Sequence, residues 1–580
     1  MIKASLSGTT IIITSDAADA TQASRIYGVT RNAKMPPMTW HLPFNLDNIQ
    51  QLRDVRALAS TDLIAAAREA AETAQIIETI KDIEEPAPVQ EIPVKKDVHL
   101  YNHQIKAFNI ALMLFDHHRQ DNTRKGGSVA LYMEMGTGKT LSAIVIVGRL
   151  FLAGCVRRLL IVAPSSVCAV WPAEFRKFAE YPSRVGVLLG ERDKRIAALN
   201  RINAPVPPGM PEPLRMAVIN YESTWRLEEE LAAFKADMII CDESQRIKNP
   251  TARQSKAMHR LGAKTLYKMI LTGTPIQNDT RDFWSQYRFV APDIFQPSYY
   301  AYLKRYAVMG GVGNHQFLGP RNLEELTRKA HSIAYRVTKE ECLDLPEKMF
   351  EDRVVMLEER ARKLYKRIQR ESCATLESGQ EITANIILTK LLRLQQITGG
   401  FLTDDEGKIT AVSTAKLDAL DDIVQTLCVD EMKKVVVFAR FHAELDAIQE
   451  RVKKVLGTDL KHVAIWGDVP ISKRSAIVEQ FQTDPDTRVF VGQIDACAEG
   501  ITLTASDTVV YFSLTYNLAK YQQSQDRIHR IGQKNHCTYI HLVAPGTIDH
   551  QIMGALKRKE DLAKTVVDNW RALFDVEEDA

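Results

Sequence analysis

Val129-Ala130-Leu131-Tyr132-Met133-Glu134-Met135-Gly136-Thr137-Gly138-Lys139-Thr140 is the stretch that decides the fold. An apolar run, two glycines, a lysine and a threonine, and then the apolar residues from Leu141 onward describe a strand, a tight turn and a helix. The glycines let backbone N–H groups face phosphate oxygens, and the helix N-terminus favours negative charge there. Lys139 is placed to reach the β- and γ-phosphates, and the Thr140 hydroxyl is a ligand for Mg²⁺. The stretch reads as a nucleoside triphosphate loop, shortened because Met133 stands where the full pattern has glycine.

Outward from this loop the same alternation recurs. Short apolar runs at 129–132, 159–162, 218–220, 238–241 and 269–271 are separated by amphipathic segments, the pattern of a parallel sheet with helices on both faces. After a mostly helical stretch it begins again at 435–438, 463–465, 489–491, 509–512 and 539–543. The fold class is therefore α/β, with two tandem parallel-sheet lobes, helical insertions and a small N-terminal α+β module. That module reads as a strand at 9–14, a loop holding Pro36, Pro37, Trp40 and Pro43, and an alanine-rich helix over 61–80. IEEPAPVQEIPVKK at 83–96 has three prolines among alternating charges and reads as an extended linker. The expected division is an accessory module at 1–82, a linker at 83–98, a first lobe at 99–295 and a helical region at 296–412. A second lobe at 413–546 follows, then a closing helix and acidic tail at 547–580 that ends in Glu577, Glu578 and Asp579.

Composition excludes some classes and leaves others open. The 580 residues carry 75 Lys+Arg and 72 Asp+Glu, and a net charge of +3 is too small to argue for nucleic acid by bulk electrostatics. A local basic groove would suffice for such a partner. No run of 18 apolar residues occurs, and residues 1–14 lack the basic start and apolar core of a signal peptide, so a soluble protein without membrane contact is expected. The eight cysteines stand at least 13 positions apart with no C-x-x-C pair, which predicts reduced thiols and no zinc site.

Two further groups fit the phosphate loop. The apolar run at 238–241 ends in Asp242-Glu243, and paired carboxylates at a strand end suit one task each: Asp242 to hold Mg²⁺, Glu243 to orient or deprotonate the attacking water. Phosphoryl transfer also needs cations on the transferring group. QDRIHRIGQ at 525–533 supplies Arg527 and Arg530, which the spacing predicts on one face of a helix, one turn apart.

Together these residues resemble the Swi/Snf-type ATP-dependent DNA translocases of helicase superfamily two, over nearly all of 100–567. Leu100-Tyr101-Asn102-His103-Gln104 is similar to the adenine-reading element, with Gln104 in the contacting place, and MEMGTGKT to motif I. Residues 160–166 with Trp171, Glu174 and Phe175 resemble motif Ia, 218–222 motif Ib, DESQRIKNP at 242–250 motif II, and LTGTPIQN at 271–278 motif III. Leu345-Pro346-Glu347-Lys348, with Leu391, Arg393, Gln395 and Gln396, resembles the inter-lobe helical region. In the second lobe 434–441 stands at motif IV, with Gly467, Arg474 and Phe481 after it, Gly500-Ile501-Thr502-Leu503-Thr504 at motif V and QDRIHRIGQ at motif VI. The chain departs from the family at Gln245, where histidine is usual, and at Cys497-Ala498, where paired glycines are usual. Glutamine donates and accepts but cannot titrate, so the first departure bears on coupling of motif II to Thr272 and Thr274.

The resemblance implies two RecA-like lobes with ATP and Mg²⁺ as cofactors. Gln104, Gly136, Thr137, Gly138, Lys139, Thr140, Gly500 and Gln525 would bind the nucleotide, Thr140 and Asp242 the metal, and Lys139, Asp242, Glu243, Arg527 and Arg530 would carry catalysis. Ser165, Ser166, Lys248, Asn249, Arg440, Thr502 and Thr504 would contact the DNA backbone with little reading of bases. The implied activity is DNA-stimulated ATP hydrolysis by a monomeric motor that remodels or re-anneals duplex or branched DNA in replication, recombination or repair. A strand-separating DNA or RNA helicase and a non-hydrolysing DNA-binding scaffold stand as alternatives. The N-terminal module faintly resembles the fork-recognition module of annealing helicases. The expected location is the cytoplasm of a bacterium or phage-infected cell, or the nucleus if the source is eukaryotic; protein partners are not indicated.

Overall fold

The computed structural model describes residues 1–31, 36–115, 126–276, 279–295, 298–311, 316–343, 345–377, 384–404, 407–497 and 500–558, with side chains at all of these except 372–377, 384–388 and 471. The expectations for Gln277, Asn278, Ala498, Glu499, the end of the closing helix and the acidic tail fall outside them. The chain divides into two compact units, Met1–Glu134 with Gly138–Cys342, and Met135–Thr137 with the chain from Leu343.

The first unit is built on a seven-stranded sheet whose pairings are all parallel, in the order Ala334–Val337, Gly127–Met133, Tyr267–Leu271, Met238–Asp242, Arg158–Ala163, Leu214–Asn220, Ser183–Leu188. Alternate residues of one strand feed two cores, Val129, Leu131 and Met133 on one face and Ala130 and Tyr132 on the other. This is why the strands read as continuous apolar runs. The register pairs Leu271 with both Leu131 and Asp242, so the phosphate loop, the Asp242-Glu243 pair and Thr272 all leave the sheet at the carboxyl ends of adjacent strands, where α/β folds bind ligands.

The second unit has a six-stranded sheet, again all parallel: Lys348–Val354, Cys537–Val543, Thr508–Tyr511, Val435–Ala439, Thr487–Gln493, Lys461–Ile465. All ten apolar runs read from the sequence as strands of the two lobes lie in strands, except that Phe512 falls just past Thr508–Tyr511. Ser183–Leu188, Ala334–Val337 and Lys348–Val354 were not foreseen, and each is an edge strand. A strand flanked on one side only has less to bury: Lys348–Val354 carries Glu351, Asp352 and Arg353 among exposed residues and shows no apolar run. The region at 296–412, expected to be helical, therefore also gives one strand to each sheet.

The N-terminal module is a four-stranded sheet in the order Thr39–Pro43, Thr10–Thr14, Lys3–Ser7, Leu58–Ala59. The expected proline loop is corrected here. Thr39–Pro43 pairs antiparallel with Thr10–Thr14, buries Trp40, and tolerates Pro43 because the strand is an edge. Ser60 caps the helix Thr61–Asp82 by accepting from Leu63 N at 3.3 Å, and Ile77 and Ile80 of that helix join the core of the first lobe.

The expected linker is docked rather than free. Asn109 Oδ1 accepts from Val89 N at 3.0 Å and its Nδ2 donates to Ala87 O at 2.8 Å, Asn102 donates to Glu84 O at 2.9 Å, and Lys95 N donates to Phe178 O at 3.0 Å. Ile92 and Val94 pack on the lobe's core.

Candidate functional site

The phosphate loop takes the geometry its glycines allow. Gly136 and Gly138 sit at φ 88° and 86°, and Gly138 caps the helix Lys139–Leu152 in the left-handed conformation. A Cβ on Gly138 would lie 2.1 Å from Gln104 Nε2, so glycine also makes room for that side chain. Gln104 is buried and its Oε1 accepts from Tyr101 N at 3.1 Å, which fixes the amide beside the loop. Lys139 Nζ donates to Met133 O at 3.0 Å, and the Thr140 hydroxyl lies one residue further into the first helical turn.

Asp242 is the last residue of its strand and is almost fully buried. Trp171 Nε1 donates to its Oδ2 at 3.0 Å and Tyr221 donates its hydroxyl to the Asp242 carbonyl at 2.8 Å. Burial pushes the Asp242 carboxyl up to about 7, the Glu243 charge pushes the same way, and Lys139 and the Trp171 hydrogen bond oppose them. A carboxylate held at such cost has the chemistry of a site that takes a cation. The Asp242 carboxylate and the Thr140 hydroxyl are both hard oxygen donors, the kind of ligand that Mg²⁺ takes. No cluster of three or more His, Cys, Asp or Glu occurs among the described residues.

Glu243 turns off the strand in the left-handed region, φ 53° and ψ 57°, a conformation that costs a non-glycine residue on the order of 1–3 kcal/mol. The short 3₁₀ helix Ser244–Ile247 follows. Gln245 Nε2 donates to Glu243 Oε2 at 2.7 Å, its Oε1 accepts from Thr272 Oγ1 at 2.8 Å, and Thr272 Oγ1 accepts from Thr274 N at 3.0 Å. The glutamine thus joins the carboxylate at the end of one strand to the loop at the end of the next. Ser244 donates to Gln286 Oε1 at 2.7 Å, and Gln286 Nε2 donates to Pro275 O at 2.8 Å, which makes a second tie between the same two segments.

In the second unit the arginines are held by backbone carbonyls together with the Thr502 hydroxyl and the Met135 sulfur. The helix Leu518–Gln525 stops before them, so Arg527 and Arg530 lie in the turn that follows, which corrects the expected helical face. The reason is local: the Arg527 carbonyl accepts from Leu503 N at 2.9 Å, which ties the turn to the motif V loop. Arg527 Nη1 donates to Ile501 O at 3.0 Å and Nε to Gln523 O at 2.9 Å; Arg530 Nη1 donates to Thr502 Oγ1 at 2.8 Å and to Ile501 O at 3.3 Å. Gly500 sits at φ 78°. Gln525 Oε1 accepts from Lys348 Nζ at 3.3 Å.

The residues expected at DNA are scattered, and several are engaged within the protein. Ser165 and Ser166 are half-buried in the turn after Arg158–Ala163. Lys248 stands 3.7 Å from Asp282, and Asn249 Oδ1 accepts from Thr251 N and Oγ1 at 2.9 and 2.8 Å. Arg440 donates to Gln395 Oε1 at 2.8 Å and its guanidinium lies 4.7 Å from the Tyr516 ring centre. Thr504 Oγ1 accepts from Gln482 at 3.2 Å. Cys497, where glycine was usual, buries its thiol against the Ile465 carbonyl at 3.5 Å. Sequence reasoning assigned no role to Trp171, Tyr221, Gln286 or Gln395. The first two lay inside recognised motifs, but nothing in their spacing shows that they hold Asp242.

The SNF2-related domain model matches residues 102–399, more than half the chain. The chain belongs to the SNF2-related family. The helicase conserved C-terminal domain matches residues 415–532. Among relatives, the mouse DNA annealing helicase and endonuclease ZRANB3 is 30% identical over 472 residues, 79% of this chain and 40% of its own. The DNA repair and recombination protein RAD54-like of Drosophila pseudoobscura pseudoobscura is 26% identical over 480 residues, 75% of this chain and 60% of its own. The chain spans less than two thirds of the length of these relatives. A solved SWI2/SNF2 ATPase core of Sulfolobus solfataricus in complex with dsDNA is 26% identical, with 83% of this chain and 95% of that one covered at a TM-score of 0.39. The assignment of the fold rests on the two parallel sheets themselves.

Proposed function

We propose that the chain is a DNA-stimulated ATPase that uses hydrolysis to move on, remodel or re-anneal duplex or branched DNA, as a monomeric motor. The observation that carries this reading is the hydrogen-bonded line Glu243–Gln245–Thr272, set at the carboxyl ends of the strands that also lead to Lys139 and Asp242. A base whose carboxylate is tied to a neighbouring loop has a means of sensing what that loop touches, as a motor requires and a passive nucleotide binder does not. The names of the relatives, which speak of DNA annealing and of DNA repair and recombination, support DNA as the track.

In this reading Gly136, Thr137, Gly138 and Lys139 bind the phosphates, Gln104 the adenine, and Gly500 and Gln525 assist. Glu243 aligns and deprotonates the attacking water. Thr140 and Asp242 would hold Mg²⁺, which when bound neutralises charge on the β- and γ-phosphates. Arg527 and Arg530 supply positive charge to the transferring group. Ser165, Ser166, Lys248, Asn249, Arg440, Thr502 and Thr504 meet the DNA backbone, after Arg440 and Thr504 leave their present partners. The N-terminal module directs the motor to forks.

Phosphate release from ATP, measured with duplex, forked and single-stranded DNA and with RNA, tests the reading. Duplex or forked DNA is expected to stimulate most. Stronger stimulation by single strands or RNA would overturn it in favour of a strand-separating helicase, and no stimulation by a DNA-binding preparation would leave a scaffold.

A further inference from the structure

The helix Glu359–Glu377 gathers its positive charge on its first thirteen residues. Between residues 359 and 371 it has six cations, Arg360, Arg362, Lys363, Lys366, Arg367 and Arg370, against two carboxylates, Glu359 and Glu371, a local net charge of +4 where the chain has +3. All six are exposed. At about 100° per residue they fall within an arc of about 160°. The opposite side is apolar and occupied: Ala361 and Tyr365 are buried, Leu364 and Ile368 pack on the core of the second lobe, and the Tyr365 hydroxyl accepts from Ile548 N at 2.8 Å. Lys363 pairs with Glu359 at 2.6 Å. Among the described residues no carboxylate lies within ion-pair distance of the other five.

Like charges so concentrated repel one another, and a helix gains nothing from five unpaired cations on one face unless a polyanion meets them. We propose that this face is a DNA-backbone contact of the second lobe, distinct from the motif residues assigned to DNA above. The proposal rests on the reading of the chain as a DNA motor. From Arg360 to Arg370 the helix spans about 15 Å, and duplex DNA presents roughly nine phosphates over that axial distance. Arginine dominates the face, with four of six, and its planar fork suits phosphate. A membrane surface is disfavoured because amphipathic helices bind lipid by inserting their apolar side, and here that side is held in the core.

The test is binding of the full chain to a fluorescent duplex of mixed sequence, titrated with salt, for the wild type and for Lys366→Gln/Arg367→Gln/Arg370→Gln. Each phosphate contact contributes a slope of about 0.9 in log K against log salt, so the triple variant should lose up to roughly 2.7 of slope and at least about tenfold in affinity near 0.1 M salt. Its ATP turnover without DNA and its melting temperature should match the wild type, and Arg367→Lys/Arg370→Lys should retain affinity because charge is kept. An unchanged affinity and slope in the glutamine variant would overturn the proposal. So would a loss accompanied by a lowered melting temperature in both the glutamine and lysine variants, which would trace it to folding. So would retention of duplex binding with loss of binding to phosphatidylserine vesicles, or competition by poly-glutamate equal to that by unlabelled duplex at matched charge. Failure of the motor reading would look different: the wild type itself would show no DNA-stimulated turnover.

Discussion

The two lobes hold their charged groups in different ways. In the first, Asp242 and Glu243 are fixed by side chains, Trp171 on one carboxylate and Gln245 on the other, and Gln245 passes the contact on to Thr272. In the second, Arg527 and Arg530 are fixed chiefly by backbone carbonyls, with Ile501 O shared between them. A carboxylate held by side chains can be retuned by whatever moves them, whereas a guanidinium held by carbonyls goes only where its loop goes. In the proposed reading this difference would give sensing to the first lobe and delivery of charge to the second.

The largest effect should come from the arginines. Arg530→Ala is expected to lower DNA-stimulated turnover by about 10³-fold or more, the range of an arginine that stabilises phosphoryl transfer, with nucleotide affinity in the absence of DNA little changed. Turnover within tenfold of the wild type would remove Arg530 from the chemistry, and the same result for Arg527→Ala would end the comparison. Next is Glu243→Gln, where a lost general base predicts a fall of about 10²–10⁴-fold in kcat while ATP still binds; equilibrium binding of a fluorescent ATP analogue separates the two.

The relay itself is worth less. Gln245→Leu should cost on the order of tenfold in DNA-stimulated turnover, about 1.4 kcal/mol, and leave DNA-free turnover within about twofold. Gln245→His should keep activity at pH 8 and add a pH dependence near 6.5, because imidazole titrates there and an amide does not. If the leucine variant is stimulated as fully as the wild type, the first lobe does not sense through this residue.

The smallest effect sets the lobes against each other by pH. Asp242 stands at about 7 against a free value of 3.8, so the metal-free folded protein binds the extra proton between those values and this group's contribution to stability falls as pH rises from about 4 to 7. His541, buried between Phe350 and Tyr511 and lowered by burial from 6.5 to about 4, does the opposite: its contribution is present above 6.5 and is lost as pH falls toward 4. Each slope is at most about 1.4 kcal/mol per pH unit. Melting temperatures between pH 4.5 and 8 should show Asp242→Asn removing a negative slope and His541→Phe a positive one; the same sign in both would refute the assignment.

The strands that decide the fold were legible because they are buried on both faces and so read as unbroken apolar runs. Three of the four edge strands were not: Ala334–Val337 has only four residues, Ser183–Leu188 has no continuous apolar run, and Glu351-Asp352-Arg353 looks like any loop. At the site the loop, Asp242, Glu243 and the arginines could be read because their chemistry limits residue type. Trp171, Tyr221 and Gln286 act by position, and position across a sheet depends on register, which one sequence does not state. The turn at 526–530 was read as helix because arginine spacing fits both, and only the Leu503 N–H that claims the Arg527 carbonyl decides between them.

The strap at 83–96 has a practical meaning for anyone who cuts the gene. Its prolines invite a boundary there, yet Asn102 and Asn109 bind its carbonyl and N–H groups, and Ile77 and Ile80 just before it complete the first lobe's core. A chain begun at residue 99 would lose a wall of that core along with the small sheet. A cut near Ser60 would open a second core, because Leu63 and Ala67 of the long helix are buried with Ile11, Ile13 and Trp40 of the small sheet.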